Sequence, residues 1–277
     1  MPPREQNSNK GTFGKVLNFA GSKNYIGASY LSTVATLKVG AGFCALASTK
    51  EVIRSVSTLL PEAVYLSRRE GLTKLKNFSV VLIGCGLSNE IRLFKDVIKR
   101  LQKETIPVVI DADGLNILAA LDKNSTTLTP HPCPLLKERE YDLIITPHPL
   151  EAARLLGVTL DDVLNDLEGS AKKLQEKYNC VVVLKTHRTI ICDKENFFIN
   201  QHGNSALAKA GSGDVLAGII AGLLAQKMEP FEAAKLGVYL HSRTGEIASE
   251  ELTEYSVLAS DLPNYLHKAI KELKQAI

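Results

Sequence analysis

The chain contains no C-x-x-C pair, and its five cysteines (Cys44, Cys85, Cys133, Cys180 and Cys192) are an odd number. This argues against a disulfide framework and against a zinc site. Cys44, Cys180 and Cys192 fall in apolar, strand-like runs, where a thiol acts as a small hydrophobe, so a reducing compartment is expected. No stretch approaches the ~18 uninterrupted apolar residues of a membrane span. The first residues, MPPREQNSNKG, lack the apolar centre of a secretory signal, and the expected location is the cytoplasm. Charge of one sign is also scarce. The net charge is +3, and short basic runs such as Arg68-Arg69 are broken by acids. That excludes the one-sided Lys/Arg face of a nucleic-acid binder. No G-x-x-x-x-G-K-[ST], H-E-x-x-H or G-x-S-x-G occurs, which excludes a P-loop and disfavours zinc proteases and α/β-hydrolases. Gly84-Cys85-Gly86-Leu87 lacks the G-x-G-x-x-G spacing of a Rossmann dinucleotide site.

What is present is ordinary for a globular protein: 277 residues, 45% hydrophobic and 23% charged. Short apolar runs at 15–20, 43–47, 80–83, 107–110, 143–145 and 181–184 read as strands. Segments with helical spacing at 27–38, from about 50, at 91–102 and from 149 to 156 lie between them. A hairpin is expected over 189–192 and 197–200, and three helices over 213–227, 230–251 and 260–275. This alternation predicts an α/β fold with a mainly parallel central sheet and helices on both faces. The division expected is a flexible segment over 1–14 and one domain over 15–277.

In such a sheet, ligands bind beyond the carboxyl ends of the strands, and nearly every predicted strand here ends in Gly, Asp, His or Lys. Gly211-Ser212-Gly213-Asp214 leads directly into an apolar helix. Successive N–H groups at such a turn make an anion cradle, and the helix dipole adds positive potential. Asp214, in the first turn, is a candidate general base next to a phosphate, though it also reads as a helix cap. The small residues Ala217-Gly218 and Ala221-Gly222 predict that this helix packs close to its neighbours. Lys185-Thr186-His187-Arg188-Thr189 offers polar groups for phosphate or ribose, or else a charged turn. Pro147 and Pro149 fix the backbone around His148. Glu151 follows in the first helical turn, able to hold Mg²⁺ through water or to cap the helix. Asp111 and Asp113 end another strand, in either a structural or a ligand-binding role. Leu128-Thr129-Pro130-His131-Pro132 echoes Ile145-Thr146-Pro147-His148-Pro149 but reads as a proline-rich loop. His241 sits among apolar neighbours and reads as a core residue.

The order of these motifs resembles the ADP/ATP-dependent NAD(P)H-hydrate dehydratase family of the ribokinase-like superfamily. The residues that carry the likeness are Lys10-Gly11-Thr12-Phe13-Gly14-Lys15-Val16-Leu17, Gly21-Ser22, Ile26-Gly27-Ala28, Ile110-Asp111-Ala112-Asp113, Thr146-Pro147-His148-Pro149 with Glu151, Leu184-Lys185 and Gly211-Ser212-Gly213-Asp214. The resemblance implies dehydration of hydrated NADH or NADPH at the expense of ADP or ATP, with Mg²⁺, and a homo-oligomer such as a tetramer. It implies Asp214 as catalytic residue, and Ala28, Gly86, His148 and Asp214 as contacts to the hydrated dinucleotide. Lys185, Thr186, His187, Arg188, Thr189, Gly211, Ser212 and Gly213 would hold the adenine nucleotide. Two positions depart from the family pattern: Cys85 stands where Pro is usual, and Thr186 where Gly is usual. Some relatives carry a fused amino-terminal epimerase domain; with only fourteen residues ahead of the first predicted strand, none is expected here. A vitamin-precursor kinase of the same fold is the alternative reading.

Overall fold

A computed structural model describes residues 1–123 and 142–275. Cys133 and the echo at 129–132 lie outside the described residues. The strands are β1 (Lys15–Phe19), β2 (Phe43–Ser48), β3 (Val64–Ser67), β4 (Val80–Ile83), β5 (Val108–Ile110), β6 (Leu143–Ile145), β7 (Val181–Leu184), β8 (Ile190–Cys192) and β9 (Phe197–Ile199). The α-helices are α1 (Ile26–Lys38), α2 (Lys50–Ser57), α3 (Arg68–Lys74), α4 (Ile91–Glu104), α5 (Asp113–Lys123), α6 (Pro149–Leu156), α7 (Leu160–Asn165), α8 (Leu167–Tyr178), α9 (Ser212–Ala225), α10 (Pro230–Ser256) and α11 (Leu262–Gln275).

The strands form one sheet in the order β3-β2-β1-β4-β5-β6-β7-β8-β9. The pairs from β3 through β7 are parallel, and β8 and β9 continue antiparallel as the expected hairpin. Alternate residues along each strand feed two cores. Val16, Leu46, Leu82 and Val109 face α1, α9, α10 and α11, whereas Leu17, Ala47, Ile83 and Ile110 face α4, α5, α6 and α8. The chain runs outward from β1 to β3 and then returns to place β4 on the other side of β1. That reversal opens a crevice above the carboxyl ends of β1 and β4.

Two differences from the sequence reading have simple causes. The edge strand β3 is not picked out although Val64-Tyr65-Leu66 is apolar: it has only four residues, and with an exposed Val64 it is buried less than the inner strands. The predicted helix over 230–251 continues to Ser256 across a kink at Thr253, whose φ of 67° and ψ of 155° are non-helical. The leading segment also makes defined contacts. The Arg4 guanidinium lies 4.0 Å from the Phe13 ring centroid, and Gly42 N–H donates to Phe13 O at 3.2 Å.

The helix α9 is packed tightly enough against α1 that its glycines are required. A Cβ on Gly218 would sit 2.2 Å from the Ser32 carbonyl oxygen, and one on Gly222 would sit 2.3 Å from Val39 Cγ1. Thr36 Oγ1 donates to Gly218 O at 3.0 Å across the same seam. The small residues of this helix therefore do what their spacing predicted.

Candidate active site

Three neighbouring parallel strands bring the acidic and basic groups together. Asp111 follows β5, Thr146 follows β6 and Lys185 follows β7. The sheet aligns these ends, with Lys185 N–H donating to Pro147 O at 2.8 Å and Thr146 N–H to Ile110 O at 3.2 Å. Lys185 Nζ then lies 2.6 Å from Asp111 Oδ1 and 4.0 Å from Glu151 Oε2. Thr146 Oγ1 donates to the same Asp111 Oδ1 at 2.7 Å. Burial pulls the Lys185 ammonium down, but the charges of Asp111 and Glu151 outweigh it and hold the group above its ordinary value. Burial lifts the Glu151 carboxyl to about 7 against the pull of Lys185.

His148 is the N-cap of α6. Its Nδ1 accepts from Leu150 N–H (3.2 Å) and Glu151 N–H (3.3 Å), while the His148 backbone N–H donates to Glu151 Oε2 at 2.9 Å. This is a capping box built on an imidazole. Because Nδ1 accepts, the hydrogen of the neutral ring is on Nε2. Burial and the Lys185 charge push the ring's pKa down, which favours that neutral form. The two readings of Glu151, cap and ligand holder, are thus both compatible with its position.

Gly211 starts α9 with φ at 92°, a left-handed value that glycine adopts at little cost. Ser212 N–H is spent on Lys209 O at 3.2 Å, and Val215 N–H is the first to bond up the helix, to Gly211 O. The N–H groups of Gly213 and Asp214 belong to the first turn, where no helical carbonyl can accept them. Lys185 Nζ sits against this turn, 3.3 Å from where a Gly213 Cβ would be. Burial pushes the Asp214 carboxyl up to about 7, and the nearby Asp111 charge acts in the same direction, while the Cys85 thiol opposes them. Cys85 Sγ and carboxylate oxygens of Asp111 and Asp214 all lie within 4.8 Å of one another. Burial raises the Cys85 thiol well above its ordinary range, so it stays protonated and can donate. The carboxylates suit a hard cation such as Mg²⁺, whereas a neutral thiol does not. Asp113 opens α5, and its Oδ2 accepts from Ser88 N–H at 2.6 Å.

Beside the turn lies a cavity of about 490 Å³. Its walls include His148, Lys185, Thr186, His187 and Thr189 from two strand ends, and Ser212 and Gly213 from α9. Arg188 is set apart from that group and lines a neighbouring hollow of about 350 Å³ with Leu167, Ile190 and Ile199. Thr186, the bulkier replacement, turns its Oγ1 onto Arg188 O at 2.7 Å. Ala28 and Gly86 meet each other: a Cβ on Gly86 would be 2.8 Å from Ala28 Cβ. A larger cavity of about 610 Å³ opens at the other end of the sheet, near Leu143 and Val181, and contains none of the predicted residues.

The cavity also recruits residues that the strand-end reasoning passed over. His202, Gly203 and Asn204 follow β9, and Val238, His241 and Ser242 come from the middle of α10. Asn200 Nδ2 donates to Ser242 Oγ at 3.0 Å, tying those two walls together. No motif marks α10 as part of a site, and its distance along the chain hides the contact.

A switch point beneath a glycine turn, a first-turn carboxylate and an adjacent cavity define a ribokinase-like α/β protein. A solved ribokinase-like superfamily protein from Enterococcus faecalis matches with a TM-score of 0.80 and 30% identity, over 96% of this chain and 91% of that one. Residues 16–270 match the family model for NAD(P)H-hydrate dehydratase. The chain belongs to that family. It is 36% identical to the ADP-dependent (S)-NAD(P)H-hydrate dehydratase of Neisseria meningitidis over 250 residues, 89% of this chain and 81% of the relative. The ADP/ATP-dependent NAD(P)H-hydrate dehydratase of Bacillus subtilis, crystallised with ATP and Mg²⁺, matches with a TM-score of 0.84 and 30% identity, over 98% of this chain and 94% of that one. The chain spans about half the length of the bifunctional repair enzymes that it also matches. Among the described residues no helix is long and apolar enough to cross a membrane.

Proposed function

We propose that this chain dehydrates the S form of hydrated NADH or NADPH at the expense of ADP or ATP. The observation that carries this is Asp214, its carboxyl lifted to about 7, beside the unbonded first-turn N–H groups of α9. A base that titrates near neutral pH can take a proton and still be ionised when needed. The hydroxyl on the hydrated ring gives its proton to Asp214 as its oxygen attacks the terminal phosphorus of the nucleotide. The bond from that phosphorus to the nucleotide's bridging oxygen breaks. The ring C–O bond then breaks, inorganic phosphate leaves with the hydroxyl oxygen, and the neighbouring ring carbon loses a proton to restore the reduced nicotinamide. Phosphoryl transfer needs positioning and charge stabilisation more than covalent help. Here the N–H groups of Gly213 and Asp214 and the Lys185 ammonium supply both.

We assign the adenine nucleotide to the cavity lined by Lys185, Thr186, His187, Thr189, Ser212 and Gly213, with Gly211 shaping the turn and Arg188 at the rim. Ala28, Gly86 and His148 are assigned to the hydrated dinucleotide, His148 from the cavity wall. Glu151 would hold Mg²⁺ through water, and the ion would neutralise charge on the nucleotide phosphates. Residues 15–277 act as one domain behind the leading segment, in a cytoplasmic homo-oligomer. Incubation with hydrated NADH and Mg-ADP or Mg-ATP tests this reading through the near-ultraviolet absorbance of the reduced nicotinamide. Stoichiometric NADH and inorganic phosphate are expected. A stable phosphorylated product would mean a kinase of the same fold instead.

A further inference from the structure

Helix α10 carries a histidine that the reaction above does not use. His241 is 7% exposed, and its Nε2 lies 3.0 Å from both the carbonyl oxygen and Oγ of Ser212, the first residue of α9. The carbonyl can only accept, so Nε2 carries the hydrogen of the neutral ring. Burial keeps the ring neutral, with its pKa pushed down to about 4. The same side chain lines the nucleotide cavity.

Ser212 is the only residue with a side chain between Gly211 and Gly213, and glycine backbones hold no direction by themselves. Its N–H is already tied to Lys209 O at 3.2 Å. The contact from His241 seizes its carbonyl side, so the peptide that carries the Gly213 N–H is the one His241 holds. We infer that His241 is a positioning residue of the nucleotide site. Its Nε2–H clamps the Ser212 carbonyl and thereby aims the first-turn N–H groups of α9 at the terminal phosphate. The inference rests on the assignment of the adenine nucleotide to this cavity.

His241→Phe keeps the bulk and removes the donor, while His241→Gln offers an amide N–H to the same carbonyl. ADP binding with Mg²⁺ is measured by calorimetry on the whole protein, alongside kcat and both KM values. One hydrogen bond that orients a charged ligand is worth roughly tenfold in affinity. His241→Phe is expected to raise the ADP Kd and the nucleotide KM about tenfold, and to leave the KM for the hydrated dinucleotide within about twofold. His241→Gln is expected to recover most of that loss. Wild-type ADP affinity in His241→Phe, an equal rise in both KM values, or a glutamine variant as weak as the phenylalanine one would overturn the inference. A wild-type protein that fails to bind ADP at all would remove the nucleotide assignment and the inference together.

Discussion

Asp214 shows how far a single side chain's surroundings can set its chemistry. In water an aspartate is ionised well below neutral pH; here burial and the Asp111 charge move it to about 7. With the ionised form as the proposed base, kcat/KM should rise with pH through about 7 and level off above it. Cys85 donates toward this carboxylate and favours its charged form. Cys85→Ala should therefore shift the rise to higher pH by a fraction of a unit, and an unmoved pH profile would deny the thiol that effect. At this scale the sequence was informative where function requires an unusual residue in a particular place. Glycine before Asp214 and proline around His148 were legible because they restrict or free the backbone. Asp111 was less so: an acid at a strand end reads equally as a turn residue. Only the sheet reveals that Lys185, 74 positions later, pairs with it.

The helices α1 and α9 are the elements that place the Gly211–Asp214 turn. Their seam depends on backbone approaching backbone at Gly218, where a Cβ would stand 2.2 Å from a carbonyl oxygen that cannot rotate away. Alanine normally improves a helix by up to ~1 kcal/mol over glycine. Overpacking of this kind costs about 1–3 kcal/mol and shifts the backbone. Gly218→Ala should therefore lower stability in denaturant titrations and weaken nucleotide binding, because α9 cannot move without its first turn. An alanine variant as stable as wild type, with unchanged affinity, would show that the seam has slack. The strands and the long apolar helices were legible from periodicity. The short edge strand β3 was not, since it has only four residues and, at the sheet edge, leaves Val64 exposed. The kink at Thr253 has no proline or glycine to announce it.

For the molecule as a whole, the buried Asp214 carboxyl is a place where stability is given up. The Asp214 carboxyl stays protonated to about 7 in the folded protein, whereas in the unfolded chain it ionises near its ordinary value. As pH rises between these points, the unfolded state has released a proton that the folded state keeps, so this residue destabilises the fold increasingly. The cost is complete above pH ~7 and absent below pH ~4. Asp214→Asn should thus be more stable than wild type at pH ~8, by on the order of 2–4 kcal/mol, and no different at the acid end. The overall architecture was legible because alternating strands and helices admit few topologies. The wall that α10 contributes was not, because no local pattern records which distant helix closes a cavity. The central claim is that a carboxylate beside the α9 N-terminus takes the proton while neighbouring N–H groups hold the phosphoryl group. Nucleotide binding and single-turnover NADH formation, measured together on wild type and Asp214→Asn, test it most directly. The amide variant should bind Mg-ADP about as well as wild type and form NADH at least about a hundredfold more slowly. Undiminished NADH formation in a variant that binds nucleotide normally would contradict it.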